Sequence, residues 1–155
     1  MPVIFPSVEF FRALQSLMHD ERERFRRLGY FDTIFGVRVV DPADARHEYV
    51  LGFEVFDCTH VRTVADLRAE AVDFILEGNR DAWVEMLRNI QEHGAADVEH
   101  SINTLTHRGE SMRVVYDDPD GHDKLYRFAE SVQEFFDLAA QLDIAFSSAE
   151  ARAQA

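Results

Sequence analysis

The chain has 155 residues, enough for one domain, and at that size roughly 70% of the unfolded surface can be buried without metal or disulfide support. Its formal net charge of −13 argues against nucleic acid and against stable insertion or docking at an anionic bilayer, because both need clustered cations. The single cysteine, Cys58, excludes an internal disulfide and points to a reducing compartment, so a cytoplasmic location is expected. Met1 to Phe5 shows no basic region followed by an apolar run, and no stretch approaches 18 consecutive apolar residues.

The aromatic balance is unusual, with 13 Phe against 4 Tyr and one Trp. Phenylalanine offers a large apolar face with no polar atom to satisfy, so the interior is either a thick aromatic core or a cavity lined with rings.

In chain order, Ser7 is a natural N-cap with Glu9 in the first turn. Phe11, Leu14, Met18, Phe25 and Leu28 then follow helical spacing up to Gly29, which predicts one helix over 7–28. From Ile34 to Val40 and from His47 to Phe56 the chain is rich in β-branched and aromatic residues. The turn signal Asp41-Pro42-Ala43-Asp44 lies between them and predicts a hairpin. Residues 60–76 fit both periods: Val61, Thr63 and Ala65 alternate with polar neighbours, while Val64, Leu67, Ala71 and Ile75 fit a helix. The alternation around Phe74, ending at Gly78, favours a strand there. Asn79 caps a further helix with Trp83, Leu87 and Ile90 as its apolar stripe and His93-Gly94 as its end. A short helix follows behind Asp97, with Val98, Ile102 and Leu105 on one face, and Gly109 terminates it. Met112 to Tyr116 reads as a strand. The last predicted helix spans about 122–142, with Leu125, Phe128, Val132, Phe135 or Phe136, Ala139 and Leu142 as its stripe. Runs of strands and runs of helices, rather than strict alternation, indicate an α+β domain over 1–146, with 147–155 as a fraying tail.

The residues that could carry chemistry are few. Cys58 and His60, beside Asp57, would face one side of a strand and could form a thiol–imidazole pair; the simpler reading is a small apolar Cys near a surface His. His93, His100 and His107 recur every seven residues, about 10.5 Å apart along a helix, too far to share a metal ion. The acidic turn holding Asp117, Asp118, Asp120 and Asp123 lacks calcium-loop spacing and reads as a solvated helix cap. Glu21-Arg22-Glu23-Arg24-Phe25-Arg26-Arg27 is the one basic cluster; it reads as a solvated helix face with an (i, i+4) pair of Glu23 with Arg27, the alternative being a docking patch for an anionic headgroup or acidic partner. No metal site and no cofactor is expected.

Residues 73–83, Asp73-Phe74-Ile75-Leu76-Glu77-Gly78-Asn79-Arg80-Asp81-Ala82-Trp83, resemble the strand–turn–helix segment of the sterol carrier protein family, the sterol-binding, nonspecific lipid-transfer domain. The order of elements over residues 5–140 is similar as well. The resemblance implies a five-stranded sheet covered on one face by about four to five helices. Between them it implies an apolar tunnel for a sterol, steroid or fatty acyl lipid. The chain departs from the family in its acidity, in ending Ala153-Gln154-Ala155 without a peroxisomal tripeptide, and in Arg108-Gly109-Glu110, an imperfect match to the late-strand pattern.

On this reading the protein binds, and carries, an apolar small molecule without catalysing a reaction. Trp83, Met86, Leu87, Ile90, Ile102, Leu105, Met112, Phe128, Val132, Phe135 and Phe136 are the expected lining residues. Two alternatives remain at this point. One is an enzyme acting on a hydrophobic or steroid substrate, with Asp32, Asp57 or Asp73 as a buried acid. The other is an accessory subunit, as a homodimer or beside a partner enzyme, whose phenylalanines form a patch rather than a pocket.

Overall fold

The computed structural model describes residues 2–147; residues 148–155, most of the predicted fraying tail, lie outside the described residues. The expected α+β arrangement is present. A five-stranded sheet has the order β4-β3-β2-β5-β6, built from β2 (Thr33–Val40), β3 (Arg46–Glu54), β4 (Asp57–Thr63), β5 (Phe74–Asn79) and β6 (Met112–Val115). β2 and β5 are parallel at the centre and the other pairings are antiparallel. Among the described residues there are six α-helices: α1 (Val8–Asp20), α2 (Arg22–Arg26), α3 (Arg80–His93), α4 (Ile102–Arg108), α5 (Pro119–Arg127) and α6 (Ala129–Asp137).

Alternation explains the sheet. Phe35, Val37, Val39, Tyr49, Leu51, Phe74 and Leu76 point to the helices and are buried. The parallel pairing of β2 with β5 brings Phe35 beside Phe74, with ring centroids 5.0 Å apart and nearly parallel planes. Phe53 stacks on Phe35, and Phe31 stacks on Phe53 at 4.3 Å. The result is a column of four rings behind the helices. Residues 64–73 cross the opposite face, where Leu67 packs on Val50 and Ile75. This crossover answers the ambiguity over 60–76: β4 ends at Thr63, a single 3-10 turn holds Leu67–Ala69, and β5 begins at Phe74.

That opposite face buries a charge cluster. Arg38 Nε donates to Glu48 Oε2 at 2.6 Å and its Nη1 to Glu77 Oε1 at 2.9 Å, and Glu77 also accepts from Arg113. Burial disfavours the charge on both Arg38 and Glu77. The hydrogen bonds within the cluster outweigh it, raising the pKa of Arg38 and lowering that of Glu77.

Three predicted helices are each broken. The one expected behind Asp97 divides at Ser101: Asp97 caps only a 3-10 turn, Val98–His100, whose Val98 is exposed, and Ser101 caps α4. The segment 7–28 divides at Glu21 (φ −109°, ψ 38°), so that α2 swings Arg24 onto Glu134 of α6. The predicted pair of Glu23 with Arg27 is replaced by Glu23 with Arg26. The segment 122–142 begins earlier, at Pro119 behind the N-cap Asp118. It divides at Phe128 (φ −110°, ψ 18°) and ends in a 3-10 turn at Leu138–Gln141. A further pair was not predicted: β1 (Val3–Phe5) lies parallel to β7 (Ile144–Phe146), with Val3 opposite Ile144.

α5 is held unusually close to the sheet. A Cβ on Gly121 would stand 1.8 Å from the carbonyl oxygen of Asp73, so only glycine permits this approach. Asp73 in turn binds α5 from below, accepting from Lys124 Nζ at 3.3 Å as well as from Thr33 Oγ1 and the Ile34 N–H.

Candidate functional site

A groove of about 700 Å³ opens between α4 and the α5–α6 pair, with Leu28 and Tyr30 also lining it. That volume lies within the range of small-molecule sites, roughly 300–1,000 Å³. Ser101 starts the first wall: its side chain caps α4, accepting from the Thr104 N–H, and Ile102 and Thr106 follow one turn apart on the groove face. The second wall comes from the break at Phe128. There the Phe128 N–H still bonds to the Lys124 carbonyl and the Phe128 carbonyl accepts from Val132. The change of direction turns Leu125, Phe128, Ala129 and Val132 toward the opening. Gln133 fastens the walls together, accepting from the Ile102 N–H at 2.8 Å and donating to Asp137 Oδ1 at 3.0 Å.

The residues expected to line a site separate into three places. Ile102, Phe128 and Val132 line the groove. Trp83, Met86, Leu87, Ile90, Met112, Phe135 and Phe136 are sealed in the interior, packed with the phenylalanine column; Phe135 meets Phe53 edge-on at 5.0 Å and Trp83 lies 5.5 Å from Phe136. Leu105 faces a smaller depression shared with Glu85, His100 and Arg108. Leu28, Tyr30 and Leu125 belong to the groove. Leu28 closed the first predicted stripe and Leu125 opened the last, whereas the exposed Tyr30 gave no periodic signal.

Asp137 is an acid that pattern reading did not single out. It is buried at the foot of α6, where burial pushes its carboxyl above the ordinary range, against the hydrogen bonds it accepts from the Ala96 N–H and Gln133. It does not line the groove. Neither do the three acids weighed earlier. Asp73 is committed to Thr33, Ile34 and Lys124; Asp57 pairs with His19 at 3.1 Å and caps the Cys58 N–H; Asp32 lies at a small surface depression beside Thr33.

The thiol–imidazole pair that Cys58 and His60 could have made does not form, and the simpler reading, a small apolar Cys, is the one observed. A bulge between Gly52 and Phe53 sets Cys58 opposite Phe53 but His60 opposite Gly52, so residues two apart face opposite sides of the sheet. Cys58 joins the core, and burial together with Asp57 pushes its thiol up to about 12, far from the thiolate a nucleophile needs. His100 bonds Asp97 at 2.7 Å and lies 3.4 Å from Glu85. Among the described residues no three His, Cys, Asp or Glu side chains converge as metal ligands, and no helix is long and apolar enough to cross a membrane.

No protein-family profile matches the sequence, and no curated protein does. Solved structures do. A crystal structure of sterol carrier protein 2 aligns over 86% of this chain and 95% of its own, with a TM-score of 0.63 at 16% identity. A conserved hypothetical protein of Thermus thermophilus, suggested to be a sterol carrier protein, aligns over 87% of this chain and 86% of its own, with a TM-score of 0.56 at 17% identity. Sterol carrier protein 2 from Yarrowia lipolytica in its apo form aligns over 84% and 89%, with a TM-score of 0.51 at 12% identity. The chain therefore has the sterol carrier protein fold, as the segment from Asp73 to Trp83 led one to expect.

Proposed function

We propose that this chain binds an apolar, lipid-sized molecule without catalysing a reaction, acting in the cytoplasm, and that the ligand enters by the groove between α4 and α5–α6. The observation that carries the reading is Phe128. It lines an opening of about 700 Å³, and it also lies 5.9 Å from Phe31, the first ring of the buried column. A sterol, steroid or fatty acyl chain seated in the groove would extend past Phe128 toward Val132, Phe135 and Phe136. Trp83, Met86, Leu87, Ile90 and Met112 would form the shell around its inner end. The shared fold with structures called sterol carrier proteins supports the same reading.

The energetics are adequate. Micromolar affinity corresponds to about 8 kcal/mol. With an association cost near the low end of about 4–15 kcal/mol, the gross gain must reach about 12 kcal/mol. At about 25 cal/mol per Å² that asks for about 500 Å² of apolar burial.

The test is titration of the labelled protein with a panel of sterols, steroids and fatty acyl lipids. Saturable shifts of the Ile102 and Val132 methyls report occupancy of the groove. A change in the emission of Trp83, which is sealed and lies against Phe136, reports passage beyond Phe128. No saturable response across the panel, with the protein folded, overturns the proposal.

A further inference from the structure

We infer that the groove selects an uncharged amphiphile, with a hydroxyl or carbonyl head, and rejects carboxylates and phosphates; Ser131 and Glu130 make the choice, and the inference presupposes the binding reading above.

The polar groups of the groove divide into those already committed and those free. Both ends of the Gln133 amide are used, as described above. Ser101 Oγ accepts from the Thr104 N–H and donates toward the Val98 carbonyl, and Thr106 Oγ1 donates to the Ile102 carbonyl at 2.7 Å. Arg127, the one cation lining the groove among the described residues, is paired with Asp123 at 3.0 Å.

Asn103, Tyr30 and Tyr126 also line the groove with no side-chain hydrogen bond among the described residues, but all three are exposed and can be satisfied by water; Ser131 is different. It is only 4% exposed, and its hydroxyl makes no hydrogen bond to any described residue. It is not among the polar atoms sealed from solvent, unlike Arg38 Nη2, so its remaining exposure opens into the groove that it lines. A serine hydroxyl both donates and accepts, and leaving it dry and unpaired is costly. A hydroxyl or carbonyl on the ligand would satisfy it.

Glu130, next in sequence and also lining the groove, is exposed and has no ion-pair partner among the described residues. An anionic head entering here would shed hydration, meet a like charge and find no uncommitted cation. The net charge of −13 adds to the repulsion at longer range. A neutral head avoids all three costs.

The experiment compares two ligands that differ only at the head, 1-hexadecanol and palmitate, each competing at pH 8 against a fluorescent sterol. The alcohol is expected to bind about tenfold more tightly than the acid. Glu130→Gln should strengthen palmitate about threefold and leave the alcohol unchanged, the size of one exposed charge contact. Ser131→Ala should weaken the alcohol about fivefold with palmitate unaffected, the size of one lost hydrogen bond. Glu92→Gln removes the same charge from an exposed position on α3 outside the groove and should move neither ligand. Palmitate binding as tightly as the alcohol, or Glu92→Gln reproducing the effect of Glu130→Gln, overturns the selectivity alone. If the folded protein binds neither ligand, it is the binding reading that fails.

Discussion

The rings of Phe128, which lines the groove, and of Phe31, the first ring of the buried column, lie 5.9 Å apart. Phe31 is wholly buried and Phe128 is half-buried. Replacing Phe128 removes packing on one side and a barrier on the other. Phe128→Ala should lower stability by about 2 kcal/mol and enlarge the change in Trp83 emission when a sterol is added. Urea unfolding and fluorescence titration measure the two effects. A destabilised variant with an unchanged Trp83 response would show that Phe128 does not guard the interior.

Gly121→Ala separates helix propensity from packing. Propensity alone favours alanine in α5 by up to about 1 kcal/mol. The new methyl, however, would stand 1.8 Å from a backbone oxygen of Asp73, which cannot swing aside. The expected result is a net loss of about 2 kcal/mol in chemical denaturation, with weaker ligand binding because the second wall of the groove shifts. A gain in stability would contradict the close packing of α5 on β5.

Asp137 makes a prediction of unusual sign. Its folded pKa is raised by burial, so the folded state holds the proton more tightly than the unfolded chain. Its charge therefore works against folding once the pH passes the unfolded carboxylate value and rises through the raised one. Asp137→Asn keeps an acceptor for the Ala96 N–H and Gln133 and should leave stability at pH 7 unchanged or higher. Asp137→Ala, which strands both donors, should cost about 1–3 kcal/mol. Equal losses in the two variants would refute the account.

His100 and Asp97 tie the start of α4 to α3 within a pH window. Hydrogen bonding to Asp97 raises the pKa of His100 above 6.5, while hydrogen bonds from His100 and Asn89 hold Asp97 down to about 2. The histidine contribution is complete below pH 6.5 and lost as the pH rises through its higher folded value. The aspartate contribution is complete above pH 3.8 and lost as the pH falls through about 2. Raising the pH from 6 to 8.5 should therefore lower the protection of the α4 amides relative to their intrinsic, base-catalysed exchange rates, and His100→Gln should leave that protection independent of pH over this range. A His100 pKa at or below 6.5 by NMR titration would sink the prediction.

Cys58 should resist iodoacetamide in the native protein at pH 8, because its thiol is pushed up to about 12, and should react fully once the chain is unfolded. Fast native labelling would mean that β4 opens far more readily than its pairing with β3 suggests.

Much of this architecture was legible in the residues. Ser7 and Asn79 marked two helix starts, and their side chains do cap them. The Asp41–Asp44 turn separated two strands that pair over the full length of β2, and the segment ending in Trp83 pointed to the right fold. Other features depend on distant partners that local periodicity does not encode. The break at Glu21 serves Arg24, which reaches Glu134, 110 positions away. The bulge at Gly52/Phe53 is one extra residue in β4, invisible to a two-residue period, yet it parts Cys58 from His60. The groove is similar. A helical stripe tells which face turns inward but not whether that face meets other side chains, as Phe136 meets Trp83, or an opening, as Val132 does. That difference is set by how far α4 stands from α5–α6, and Gly121 and Gln133 fix that spacing from outside either stripe.

The small β1–β7 pair has a consequence for the order of assembly. Val3 is made long before its partner Ile144, and Phe5 is wholly buried with the rings of Phe10 and Phe146 edge-on to it. Every other strand pairing joins segments closer together in the chain. During synthesis the five-stranded sheet can form while β1 stays unpartnered, with Phe5 exposed until α6 has passed. The earliest strand of the domain thus waits for the latest one before it can pair.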